Sequence, residues 1–209
     1  MSRPRSSIRA ARAAALAAGL AAEAAAAATL TVHVVDAAGQ PLADAVVYAE
    51  PAAKRPGGPG AQAAKPAVIE QVGRRFSPIV SVVQVGTAVS FPNLDTVRHH
   101  VYSFSPARTF DIKLYSGVPA APVVFDKPGT VVLGCNIHDK MVAYVHVVDT
   151  PHFGRTDAAG QARLEDVPAG AYQLRAWHPR LAAGAQPAEQ ALVLKADAAA
   201  AFKLERLAP

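Results

Sequence analysis

Cysteine is almost absent from this chain: Cys135 is the only one in 209 residues, which excludes an internal disulfide. Methionine is nearly as scarce, and Met141 is the only one after Met1. Charged residues are few, and no element carries a cluster of Lys and Arg or a nucleic-acid motif, so no nucleic-acid partner is expected. No stretch supplies the roughly 20 apolar residues of a spanning helix, and beyond the N-terminal leader no long run has the 3.6-residue period of an amphipathic helix. What remains is a hydrophobic share of 51%, enough for one good core or two small ones.

The first residues follow an export pattern. Arg3, Arg5, Arg9 and Arg12 precede an Ala/Leu-rich run from Ala13 that ends in the small residues Ala24 to Ala28, as in a cleaved signal peptide. The run is short and carries Glu23, which argues against a retained anchor. Residues 1–28 are therefore expected to be removed, leaving a periplasmic protein that begins near Thr29 and has no transmembrane segment. Removal takes away four Arg and one Glu, so the formal charge of +5 falls to +2. In an oxidising compartment a lone thiol needs protection or a purpose; the alternatives are an inert buried Cys or an intermolecular disulfide.

Beyond the leader the pattern is that of strands. Thr29 to Val35 and Ala45 to Ala49 flank the turn-rich Asp36-Ala-Ala-Gly39 and Pro41, which predicts a hairpin. Residues 51–67 are rich in Pro, Gly and Ala and predict a flexible loop. Strand-like runs follow at Val68 to Val72, Ile79 to Val85, Ala88 to Phe91, Val101 to Phe104, Val123 to Phe125, Thr130 to Leu133 and Met141 to Val148. Gly86, Pro92, Pro106, Gly117, Pro128-Gly129 and Pro151 punctuate them. Short β-branched strands with such turns imply an all-β antiparallel sandwich or barrel. The tail repeats the strand-turn style around Gly160 and Gly170, and the Asp-Ala-Ala-Gly-Gln found at 36–40 and 157–161 is read as reuse of a good turn.

The stretch that carries chemistry is Leu133-Gly-Cys-Asn-Ile-His-Asp-Lys-Met141, with a thiol, an imidazole and a thioether at Cys-x2-His-x2-Met spacing. Copper that cycles between Cu(I) and Cu(II) is well served by two His and one Cys in a plane with a weak axial Met. Zinc is the rival metal, but structural zinc sites use Cys and His without Met. One tight loop cannot surround an ion, so a second His must come from elsewhere, and His99 and His100 are the candidates. Adjacent strand residues point to opposite faces, so only one of them faces the metal. Surface histidines and a core methionine are the plain readings of each residue alone; the combination favours one copper ion.

These residues resemble the cupredoxins, in particular blue copper proteins with an amicyanin-type ligand loop and the cupredoxin-like proteins labelled methylamine utilisation proteins. The resemblance runs from about Val68 to Val148 and rests on Val85-Gly86, Phe91-Pro92-Asn93, Asp95, His99-His100-Val101-Tyr102-Ser103-Phe104, Pro128-Gly129 and the ligand loop. It implies a Greek-key β-sandwich or barrel over residues 68–148. The implied metal ligands are His99, Cys135, His138 and Met141, with His100 an alternative ligand or a neighbour bracing the ligand loop. Arg98 and His100 stand where related proteins often have Pro and Asn. The implied function is one-electron transfer with periplasmic redox proteins as donor and acceptor, and His138 as the edge where electrons pass.

A second resemblance covers the flanks. Thr31 to Val47 and Thr156 to Leu174 are similar to the opening and close of a prealbumin-like, carboxypeptidase-regulatory type β-sandwich. Residues 29–50 and 149–209 would then form one sandwich interrupted by the copper unit; the rival is that the first strands form a hairpin of the cupredoxin barrel itself. Trp177 is read as packing and His178 as structural. The competing functions are copper storage or delivery and a metal-free binding module. An enzyme is not expected, because His33, His146, His152 and His178 are scattered without metal-ligand spacing.

Overall fold

The computed structural model describes residues 27–53, 64–119 and 121–208. The expected signal peptide therefore lies outside the described residues as far as residue 26, and so does most of the expected flexible loop, 54–63. All regular elements among the described residues are strands, seventeen of them. None is a helix, so no helix is long and apolar enough to cross a membrane.

The strands before the excursion are β1 (Ala27–Asp36) and β2 (Val46–Pro51). The middle of the chain supplies β3 (Ala67–Val68), β4 (Glu70–Val72), β5 (Arg75–Ser77), β6 (Val80–Gln84) and β7 (Thr87–Ser90). It continues with β8 (His99–Ser105), β9 (Arg108–Tyr115), β10 (Val123–Phe125), β11 (Gly129–Gly134) and β12 (Val142–Val148). The tail holds β13 (Phe153–Arg155), β14 (Gln161–Pro168), β15 (Gly170–Trp177), β16 (Ala188–Leu194) and β17 (Ala198–Leu204).

These strands form sheets ordered β14-β1-β17, β13-β2-β15-β16, β6-β12-β11-β8-β9, β10-β7-β3 and β4-β5. Three apolar seams hold them together. The first lies between the β1 and β2 sheets and buries Leu30, Val32, Val34, Val47, Ala49 and Leu174. The second lies inside the middle portion and buries Phe76, Phe91, Phe125, Leu133, Cys135 and Met141. The third joins the two portions through Val46, Tyr48, Val80, Val148 and Trp177. A fully buried Leu or Val contributes about 1.5–3 kcal/mol of transfer free energy before entropy is counted.

Two-residue periodicity explains the layers. On β12, Ala143, Val145 and Val147 face the second seam, while Tyr144 and Val148 face the third. On β2, Val47 and Ala49 face the first seam, while Val46 and Tyr48 face the third. Both strands carry apolar residues on both faces because both of their faces are covered.

The expected hairpin of β1 and β2 does not form. β1 pairs antiparallel with β14 and parallel with β17, whereas β2 pairs antiparallel with β13 and β15. The Asp36 to Gln40 turn is present, closed by Asp36 N–H to the Gln40 carbonyl at 2.9 Å, but it reverses the chain for a single bridge between Val35 and Pro41. The chain then crosses to the facing sheet. A hairpin strand with one solvated face would alternate; the fully buried Val46 to Ala49 run requires an interior position with packing on each side. The first two strands thus pair with the tail, and the ladders of β3 to β12 close among themselves.

Candidate metal centre

The ligand loop grows from the antiparallel ladder of β11 and β12. Cys135 follows the last residue of β11, and two consecutive turns set the spacing of the loop. His138 N–H points to the Cys135 carbonyl at 3.4 Å, and Met141 N–H donates to the His138 carbonyl at 2.9 Å. Each x2 interval in Cys-x2-His-x2-Met is therefore one turn joining residue i to i+3. Gly134 lets Tyr102, the cross-strand neighbour on β8, lie close over the strand end: a Cβ there would sit 2.8 Å from its ring and force the ring to shift.

The structure brings His99, Cys135 and His138 together, with one donor atom of each within 4.8 Å of the others. Cys135 Sγ lies 4.0 Å from His99 Nδ1 and 3.6 Å from His138 Nδ1. The two imidazole centroids are 4.9 Å apart. A metal at ordinary distances, about 2.3 Å from sulfur and about 2.0 Å from nitrogen with an angle near 120°, sets S and N about 3.7 Å apart. The observed 3.6 and 4.0 Å bracket that separation. His99 is fully buried and Cys135 is 4% exposed, while His138 is half-buried and reaches the surface. Met141, 1% exposed, shares the apolar cluster of Cys135.

His99 opens β8 with its Nδ1 turned towards the thiol. Its Nε2–H donates to Asp95 Oδ2 at 2.7 Å. Asp95 is itself held by the turn between β4 and β5, where Gly73 N–H donates to Oδ1 at 2.7 Å and Arg74 N–H to Oδ2 at 2.8 Å. Both turn residues have left-handed φ, 61° and 58°, which is what aims successive N–H groups at one carboxylate. Burial pushes the Asp95 carboxyl up, but the Arg74 amide, the His99 imidazole and the Gly73 amide outweigh it and hold the group below the ordinary carboxylate range. Asn93 fastens the same loop, with its side-chain amide donating to the Val97 and Tyr115 carbonyls at 2.9 Å.

His100 goes elsewhere. Its Nε2 bonds Asp111 on β9, its ring packs on Tyr102 at 5.3 Å, and its buried Nδ1 has no partner. His100, expected as an alternative ligand or a brace of the ligand loop, lies on the opposite face of β8 from His99, away from the thiol and bonded to Asp111. Asp95 is the residue that holds a ligand candidate, and sequence reading gave it no such role, although Asp-x3-His was the available signal.

The other histidines stand apart from the cluster. His146 stacks on Trp177 at 4.7 Å, and His152 meets Tyr172 edge-on at 6.3 Å. His178 Nε2–H donates to the Ala43 carbonyl at 3.2 Å, and His33 sits in the β1–β14 ladder opposite Gln161. Burial holds the imidazoles of His146, His152 and His178 below the ordinary value, His146 at about 4.

The site thus defines a class by geometry: a β-sandwich protein with a His–Cys–His donor set at one end. Solved structures similar to the chain include a purple cupredoxin from Nitrosopumilus maritimus, 24% identical, covering 39% of this chain and 99% of that one at a TM-score of 0.35. They also include a Cu(I) form of an amicyanin mutant, 18% identical, covering 49% of this chain and 98% of that one at 0.37. A copper-containing nitrite reductase from Thermus scotoductus SA-01 is 27% identical over 56% of this chain, at 0.38; the chain spans 28% of that enzyme. No protein-family model matches the chain, and no curated protein does.

Proposed function

We propose that the protein is a periplasmic type 1 copper protein that carries single electrons, with His99, Cys135, His138 and Met141 as ligands to one copper ion. The observation that carries the reading is the convergence of two imidazole Nδ1 atoms on one buried thiol, at 3.6 and 4.0 Å, in a sandwich whose nearby core holds Met141. Copper bound there supplies a Cu(I)/Cu(II) couple, for which this mixture of soft sulfur and imidazole is suited. Cys135 lies in the second seam and His99 is fully buried beside it, which keeps water from the sulfur. The loop is braced by two turns and His99 by Asp95, so both oxidation states meet one preset donor geometry and little rearrangement accompanies electron transfer. His138 is the group of the three that a redox partner reaches. Other periplasmic redox proteins are the proposed donor and acceptor, after export and removal of residues 1–28.

The deciding experiment adds one equivalent of Cu(II) to the protein and records the visible spectrum beside that of Cys135→Ala. An intense thiolate-to-copper band, absent from the variant, is expected. No band in the parent protein overturns the reading.

A further inference from the structure

The carboxylate behind His99 is tied to the turn of the β4–β5 hairpin. Asp95 uses both oxygens, accepting Gly73 N–H, Arg74 N–H and His99 Nε2–H, and its side chain is only 15% exposed. The β4–β5 ladder itself, through Glu70 to Val72 and Arg75 to Ser77, does not use Asp95.

We propose that Asp95 is a positioning residue for the metal centre, and that the Gly73–Arg74 turn is the element that sets it. An acceptor fixed at Nε2 leaves the proton of a neutral imidazole on that nitrogen, so Nδ1 presents its lone pair to the space shared with Cys135 and His138. The carboxylate also adds negative charge beside the site, favouring the more positive state of a bound ion. Asp95 therefore selects the ligating nitrogen and holds the site towards Cu(II). Because the same oxygens bind the turn amides, occupancy of the site and order in the β4–β5 hairpin are linked, each stabilising the other. The inference rests on the copper reading of the site for its redox part, and on the described hydrogen bonds alone for the tautomer and the hairpin.

The test uses the full chain and Asp95→Asn, which preserves shape and removes the charge. In the metal-free proteins at neutral pH, nitrogen NMR of His99 is expected to show the Nε2–H tautomer in the parent and a mixture in the variant. With copper, Asp95→Asn is expected to weaken Cu(II) binding by about 10- to 100-fold and Cu(I) binding less, raising the reduction potential by about 59 mV for each tenfold difference. A readout that needs no substitution guards against misfolding. Copper addition to the parent is expected to slow amide exchange at Gly73 and Arg74 by about tenfold through this linkage, while Gly39, in a turn remote from the site, stays unchanged. An unaltered tautomer together with unaltered Cu(II) affinity in the variant, or exchange at Gly73 and Arg74 indifferent to copper that binds with a thiolate band, overturns the proposal. If neither protein gives that band, the copper reading falls, and the tautomer comparison still decides whether Asp95 positions His99.

Discussion

Lowering the pH should loosen the seam between the two portions of the chain, through His146. This residue is 5% exposed, stacks on Trp177 at 4.7 Å with an interplanar angle of 19°, and packs near Tyr48 at 5.4 Å. Its Nδ1 has Thr130 Oγ1 at 3.0 Å, and burial depresses its pKa to about 4. A histidine whose folded value lies below its unfolded value binds more protons when unfolded, so stability is full above about pH 6.5 and falls as the pH drops towards about 4. With values of about 6.5 unfolded and about 4 folded, the loss is about 2 kcal/mol by pH 5 and about 3 kcal/mol by pH 4. Trp177 is the only tryptophan in the chain, so its fluorescence reports this contact directly. Urea unfolding followed by that signal at pH 8 and pH 5, in the parent and in His146→Gln, measures the effect. The variant should lose about 2 kcal/mol less over that interval. It keeps the smaller slope due to His152 and His178, both also depressed by burial. Parallel losses in the two proteins would refute the reasoning.

Two further predictions concern how separable the parts are and which histidine matters. Leu174→Ala empties a fully buried position in the first seam and should cost about 2–5 kcal/mol, seen as a lower thermal midpoint. The copper band should survive it at temperatures where the protein stays folded; loss of the band in the folded variant would mean that the flanking sheets shape the site. His99→Ala should abolish the band, whereas His100→Ala should retain it, since His100 is directed to Asp111; the reverse pattern in visible spectra would contradict the placement of these rings.

Much of the site was legible because its chemistry is local in sequence. Cys135, His138 and Met141 are separated by single turns, so their spacing survives in the linear text. The choice between His99 and His100 was not legible from alternation, which says that neighbours diverge but not which one points inward. Asp95 was missed for a different reason: its partners lie on a turn more than twenty residues earlier, and only the folded hairpin makes it a brace. The strands show the same divide. β-Branched runs such as those of β6 and β12 were plain, but β9 mixes Asp111 and Lys113 with Phe110 and Ile112, and β17 is mostly alanine with its parallel partner β1 at the other end of the chain. The hairpin expected of β1 and β2 fails because the apolar Val46 to Ala49 run after the turn needs cover on both faces, whatever the turn itself allows.

The third seam also decides from which directions another protein can approach. It covers the β6 and β12 part of one side of the five-stranded sheet, at Val80, Tyr144 and Val148, with Val46, Tyr48 and Trp177 from the chain's own flank, so that part is closed to visitors before any encounter. His138 and the nearby exposed Ile137 lie outside that cover, as does Phe104, 79% exposed on β8. The flank thereby acts as a built-in occupant of the β6–β12 end, while the β8 end of the same side, with Phe104, and the ligand loop, with His138, stay open.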